Sequence, residues 1–473
     1  MAQTTDSAVE PIEHAGETQS NELRRRLQAI EPLCIRTYTP SLAVFARSEG
    51  SYHYTPEGRK LADFTSGVLV ANLGHNPKRW WQRLLGYLKV DAAAIAGGSS
   101  NGHTSTEFLP AVPLTAYNGA TEVEVRASER LVELMRKQPG GGRCEQVLWA
   151  ASGSEAIQKA LWCALDRRPG QDMILATRFG FHGKKGLAGA VTGSETDKDR
   201  DPRVRFIGFP REECNSVAAR RRPLDLTPYE QELEALWREH GSRICCLITE
   251  PYLGGGGSFH PQKEYMQLLE RFCRKHDILF IFDEVQANFG RTGELFAYSH
   301  YGVEPDITVL GKGLGNGVAV SAAVGRADLF ANMHYGEGSD TWSGNPLASA
   351  AVLATLDEYE TTDVVAQGKR LAKVIEEGLL KLAELPVVAN VRGEGMVWGI
   401  ECAAVRDATA AEIANACVKA CYLGDEQGRA IHLLGPLAGK VLRVSPPLTM
   451  SREECREYLA VMYQIFQEVG RAA

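Results

Sequence analysis

A carboxylate at Asp283 and an amine at Lys312 are the residues best placed to do chemistry together. Lys312 lies in Asp306-Ile307-Thr308-Val309-Leu310-Gly311-Lys312-Gly313-Leu314-Gly315, where a short apolar run passes directly into glycines. An amine released at a strand end into a crevice can lose its proton and attack a carbonyl. Taken alone, the same residue also reads as a surface lysine in a loop, so its company must decide. Asp283-Glu284-Val285-Gln286 follows the unbroken apolar run 278–282, and an acid there is costly to bury unless a cation meets it. Glu250-Pro251 closes the run 244–249 in the same way, ahead of glycines 254–257.

Two further segments supply complementary groups. Ser152-Gly153-Ser154-Glu155 opens a helix after the run 146–151; free N–H groups, the helix dipole and a hydroxyl suit a phosphate there. By itself this is also an everyday N-cap. Phe179-Gly180-Phe181-His182-Gly183 follows the run 173–178, and an aromatic flanked by glycines either lies flat on a planar ring or fills a turn. A phosphate cup at Gly153 and Ser154, a stacking aromatic, an acid for a ring nitrogen, Val285 for the ring's other face and a lysine for an aldehyde are together the handles of pyridoxal 5′-phosphate.

These groups need a scaffold that brings strand ends to one edge. Between 146 and 325 short apolar runs alternate with amphipathic segments, the pattern of crossover units on a mostly parallel sheet. Strands are expected at 146–151, 173–178, 203–208, 244–249, 278–282, 307–310 and 321–325, with helices over 155–166, 228–240 and 262–276. In the last, Tyr265, Leu268, Leu269 and Phe272 share one face. Helices over 347–359, 364–385, 410–421 and 452–469, with strands at 387–392, 395–402 and 441–444, form a smaller α+β unit. A hairpin within 43–67 is expected to join it. The expected organisation is a disordered tail over 1–20, the N-terminal part of a small domain over 21–75, a large cofactor domain over 76–345 and the rest of the small domain over 346–473.

Composition narrows the class. A net charge of −7 over 473 residues argues against a broad nucleic-acid surface, and the apolar runs are too short to span a bilayer. Eleven scattered cysteines suit free thiols in a reducing compartment, with no paired spacing of a zinc site; Cys245, Cys246, Cys417 and Cys421 fall on core faces. The polar N-terminus has no apolar leader, so a cytoplasmic protein is expected. No complete Gly-x-Gly-x-x-Gly opens a helix after the first strand, which weakens a nucleotide-binding reading.

In the order and spacing of these blocks, together with Phe64-Thr65-Ser66-Gly67, Phe289-Gly290-Arg291-Thr292-Gly293, Gly344-Asn345-Pro346 and Val391-Arg392-Gly393, the chain resembles the class III, fold type I aminotransferases that depend on pyridoxal phosphate. The resemblance implies that Lys312 forms a Schiff base with the cofactor and shuttles a proton, that Asp283 pairs with the ring nitrogen, and that Gln286 meets the ring hydroxyl. It further implies that Phe181 stacks on the ring, that Gly153 and Ser154 bind phosphate, and that His182, Glu250 and Val285 complete the cofactor site. Thr341 would reach the phosphate of a neighbouring subunit, which implies a homodimer with shared sites, or a tetramer built from it. The expected activity is ping-pong transamination of an amine or ω-amino acid with pyruvate or 2-oxoglutarate; other members run aminomutase, decarboxylase, racemase or lyase chemistry. Gly255 stands where many relatives carry a glutamate that neutralises a carboxylate-binding arginine, here matched to Arg392. Val68, Tyr117, Tyr252 and Trp342 are expected to edge the substrate pocket.

Overall fold

The computed structural model describes residues 11–95, 108–197 and 200–473. Its strands in chain order are β1 (Arg47–Glu49), β2 (Tyr52–Tyr54), β3 (Lys60–Asp63), β4 (Gln146–Ala150), β5 (Met173–Thr177), β6 (Val204–Ile207) and β7 (Ile244–Thr249). They continue with β8 (Leu279–Asp283), β9 (Ile307–Leu310), β10 (Ser321–Gly325), β11 (Val388–Glu394), β12 (Val397–Cys402), β13 (Ala430–His432) and β14 (Val441–Val444).

The central sheet has seven strands in the order β4-β10-β9-β8-β7-β5-β6, and only β10 runs against its neighbours. Every residue of β5, β7, β8 and β9 is buried, which is why they read as continuous apolar runs: helices cover both faces. Helix Lys263–His276 turns Tyr265, Leu268, Leu269 and Phe272 into the core as its periodicity requires. Because these strands run in one direction, the segments after β4, β5, β7, β8 and β9 emerge at a single edge. Four of the five site segments therefore meet through register alone, and β8 extends one residue further than expected, so that Asp283 ends the strand.

Two smaller sheets flank this one. The first, β1-β2-β3-β13, contains the expected hairpin; the second is β11-β12-β14. The sequence reading does not foresee β13, three residues that pair in parallel with β3, since so short a strand leaves no periodic signal. Helix Pro346–Thr361 opens the expected C-terminal unit but lies against helices Lys78–Tyr87 and Glu122–Arg136. The N-terminal tail also departs from expectation. Residues 1–10 lie outside the described residues, but over 11–20 the chain is ordered and a helix, Thr18–Ile30, begins. Buried Glu17 pairs there with Arg24 at 2.7 Å and accepts the Tyr422 hydroxyl at 2.9 Å, so partners distant in sequence offset the burial of a segment whose composition reads only as polar.

Candidate active site

A pocket at the carboxyl edge of the central sheet is lined by Ser152, Gly153, Ser154, Phe181, His182, Asp283, Val285, Gln286 and Lys312. The lysine is held by its neighbours. Its φ of +49° is left-handed, a conformation that costs a non-glycine residue about 1–2 kcal/mol. Glycines on either side permit it: a Cβ on Gly311 would sit 2.7 Å from Ser321 Oγ, and one on Gly313 would sit 2.3 Å from Asn72 Nδ2. Asn288 Nδ2 also donates to the Gly311 carbonyl at 3.0 Å. The Lys312 amine itself makes no hydrogen bond or ion pair with the described residues, and burial draws its pKa down to about 8 against the opposing pull of Asp283. A substantial neutral fraction near physiological pH is what a nucleophilic amine needs.

Asp283 is fixed from two sides. His182 Nδ1 lies 2.7 Å from Oδ2, and Oδ1 accepts the Val285 N–H at 3.0 Å. Glu250 works behind the pocket. Its Oε2 accepts the Phe181 N–H at 2.8 Å, while Oε1 accepts from Gln286 Nε2 at 3.2 Å and from the Gly254 N–H at 3.3 Å. One carboxylate thereby sets both the stacking aromatic and the amide, and burial pushes its pKa up to about 7. Phe181 leaves its ring partly exposed to the pocket.

The residues present fit pyridoxal phosphate. Ser152 is consumed by a capping box with Glu155, so Ser154 and the first N–H groups of helix Gly153–Leu165 have no such duty and suit an anion. Gln286 Oε1 and His182 Nε2 are buried without hydrogen-bond partners. Gly153 leaves a cradle whose Cβ would press within 3.1 Å of Val285.

The other expected site residues do not join this wall. Val68 (40% exposed), Tyr117 (54%) and Trp342 (63%) lie at the surface, as does Thr341, and the Tyr117 hydroxyl reaches Ser339 Oγ at 3.4 Å. Tyr252, expected at the pocket edge, is fully buried; its ring stacks on His260 and its hydroxyl donates to the Gln286 carbonyl at 2.9 Å. Arg392, expected to meet a substrate carboxylate, is engaged within the protein. Its Nη1 donates to Glu401 at 2.5 Å and its Nε to the Gly257 carbonyl at 2.7 Å, with the guanidinium over Phe259.

Sequence reasoning misses Arg443. It is fully enclosed, donates from Nη2 to the Gly254 carbonyl at 2.7 Å, and leaves Nε without a partner. Among the described residues no carboxylate forms an ion pair with it, and its charge is felt at Lys312 and Glu250. The available signal is one cation inside the apolar run Val441-Leu442-Arg443-Val444, the same kind of anomaly that marks Asp283.

Residues 34–466 match the family model described as aminotransferase class-III. The chain is 31% identical over 450 residues to the acetylornithine aminotransferase of Gloeobacter violaceus, covering 93% of this chain and 97% of the relative. It is 29% identical to the 4-aminobutyrate aminotransferase of Mycobacterium leprae, with 94% and 95% covered. The fold superposes on ornithine aminotransferase from Toxoplasma gondii with a TM-score of 0.76 at 23% identity, over 96% of each chain. The chain belongs to the class-III aminotransferases and catalyses pyridoxal phosphate-dependent transamination.

Proposed function

We propose that the donor is an ω-amino acid or a related primary amine, that the acceptor is a 2-keto acid such as pyruvate or 2-oxoglutarate, and that the two half-reactions alternate at one site. The observation that carries this reading is Arg443, a buried guanidinium that forms no ion pair among the described residues and whose charge acts on Lys312. A substrate carboxylate would satisfy its unpartnered Nε in a charge-assisted hydrogen bond. Gly255 supports the same reading: a Cβ there would press within 2.9 Å of Phe181, so the glycine keeps the aromatic in place. Relatives named for acetylornithine and 4-aminobutyrate act on ω-amino acids that carry a carboxylate at the other end.

Bound pyridoxal phosphate supplies an aldehyde that exchanges oxygen for nitrogen and a ring that withdraws electrons from the neighbouring carbon. The protein's residues do the rest. Gly153 and Ser154 would hold the anionic end, Phe181 and Val285 would contact the ring, and Gln286 would offer its amide to it. Asp283, oriented by His182, would pair its carboxylate with a protonated ring nitrogen. Lys312 Nζ, once displaced by the donor amine, takes a proton from the substrate carbon and returns it on the cofactor side.

Thr341, Trp342 and Tyr117, exposed on this chain, are read as contributions to the site of a second copy in a homodimer. All eleven cysteines are free and ten are buried, which supports a cytoplasmic setting; no helix among the described residues is long and apolar enough to cross a membrane. The test mixes holoenzyme, without acceptor, with N-acetylornithine, 4-aminobutyrate, ornithine and an arylalkylamine in turn. Stoichiometric loss of the visible absorbance of lysine-bound cofactor with a carboxylate-bearing ω-amine supports the reading. Carbon dioxide release or racemisation without that loss would favour a different reaction on the same fold.

A further inference from the structure

Outside the pocket, the sheet β1-β2-β3-β13 gathers a set of metal-ligating side chains that the transamination reading does not use. Asp63, fully buried, ends β3; His53 projects from β2, His75 from the loop after β3, and His432 is the register partner of Asp63 on β13. His75 Nε2 lies 2.7 Å from Asp63 Oδ2, and His53 Nε2 lies 3.5 Å from the same oxygen. One ligand atom from each of His53, Asp63 and His75 falls within 4.8 Å of the other two.

Three details separate this cluster from a carboxylate with imidazole neighbours. His53 Nδ1 is committed to Ser48 Oγ at 2.7 Å, which fixes the ring with Nε2 toward Asp63. At 3.5 Å that contact is too long for a good N–H···O bond. It approaches the roughly 3.3–3.5 Å between two ligands on a tetrahedral ion with bonds of about 2.0–2.1 Å, whereas His75 Nε2, at 2.7 Å from Oδ2, is hydrogen-bonded and must draw back by about 0.6 Å to admit one. Asp63 Oδ1 faces the other way, accepting the N–H groups of Thr65 and Ser66 at 2.8 and 3.1 Å, so Oδ2 is left for the cluster. Finally, His432 Nδ1 is buried without a hydrogen-bond partner, and its ring stands edge-on to His53 at 5.4 Å between centroids.

We propose that His53, Asp63 and His75 form a binding site for a divalent transition metal of the zinc type. Imidazole nitrogens with a single carboxylate select such ions over magnesium or calcium, which take mainly oxygen ligands. His75, the most exposed of the three, gives the ion a way in. Bound there, the ion fastens β2, β3 and the loop after β3, and through Asp63 Oδ1 it braces the turn at Thr65 and Ser66. Its role is structural, and it takes no part in transamination.

The test uses untagged holoenzyme freed of metal by a chelator, titrated with zinc chloride by calorimetry and assayed for bound metal by elemental analysis. One zinc per chain is expected, with a rise in melting temperature on binding. His53→Gln and His75→Gln should each weaken binding by at least about 100-fold and remove that rise, since each deletes a ligand rather than an outer partner, whose loss costs about 10–100-fold. Ser48→Ala, which keeps every ligand but frees the His53 ring, should weaken binding by about tenfold and covers the case in which a histidine variant fails to fold. Sub-stoichiometric zinc, or equal affinity in wild type and both histidine variants, would overturn the proposal.

Discussion

The pocket's strand-end wall and the exposed residues proposed for substrate contact are built on opposite terms. Along the wall, Asp283, Glu250, His182 and Gln286 are tied to one another or to backbone groups through contacts of 2.7–3.3 Å, and the sheet beneath them is buried on both faces. Val68, Tyr117 and Trp342, proposed for substrate contact, instead stand 40–63% exposed at the surface. A group that handles protons must be placed to within a fraction of an ångström, which only a rigid element with supporting hydrogen bonds provides. A surface that chooses among amines can be looser and changed residue by residue. On the proposed reading, the rigid wall carries the reaction and the exposed residues tune selectivity.

The comparison can be broken most easily at the lysine. Lys312→Ala should lower turnover by at least about 10³-fold while cofactor binding through Gly153, Ser154 and Asp283 persists, as equilibrium dialysis would show. Asp283→Asn keeps the shape but removes the charge, and kcat should fall by about 10²–10³-fold without loss of fold. Arg443→Gln should raise the KM for the keto acid by about 10–100-fold, the value of a charge-assisted bond of about 1.5–3 kcal/mol. Arg392→Gln should leave that KM in place and instead destabilise the protein by about 1–3 kcal/mol in denaturant melts, because it removes a buried guanidinium's bonds to Glu401 and the Gly257 carbonyl, while Lys440 keeps Glu401 paired at 2.6 Å. The reverse pattern would return Arg392 to the substrate. The smallest effect belongs to the exposed residues: Trp342→Ala should change the ratio of kcat/KM between a bulky and a slender donor by less than about tenfold, within the 1–3 kcal/mol range typical of pocket shape.

The wall is legible in the sequence because each of its residues closes or follows an apolar run, and parallel strands carry such residues to one edge. Glu250 shows the boundary of that legibility: its position at a strand end can be read, but not that it serves Phe181 and Gln286 from behind. Arg392 is harder. Its partner is set by the β11–β12 register, in which Arg392 faces Gly399 and Glu401 lies diagonally beyond, and no local pattern selects Glu401 over Glu394. Glu394 in fact pairs with Arg220 and His300. Val68, Tyr117 and Trp342 are read least well, since they sit on exposed segments whose paths are not encoded by periodicity.

The most direct test of the account is to trap the cofactor on the protein as a function of pH. Cofactor-stripped enzyme would be mixed with pyridoxal phosphate, reduced with borohydride at timed intervals and analysed by peptide mass spectrometry. Burial lowers the Lys312 pKa to about 8, so the amine is mostly protonated and slow below that pH and mostly neutral above it. The account predicts a pyridoxyl adduct on Lys312 whose formation rate rises with pH and levels off just above 8. An adduct on any other lysine, or a rate on Lys312 that keeps climbing towards the pKa of an ordinary exposed lysine, would contradict it.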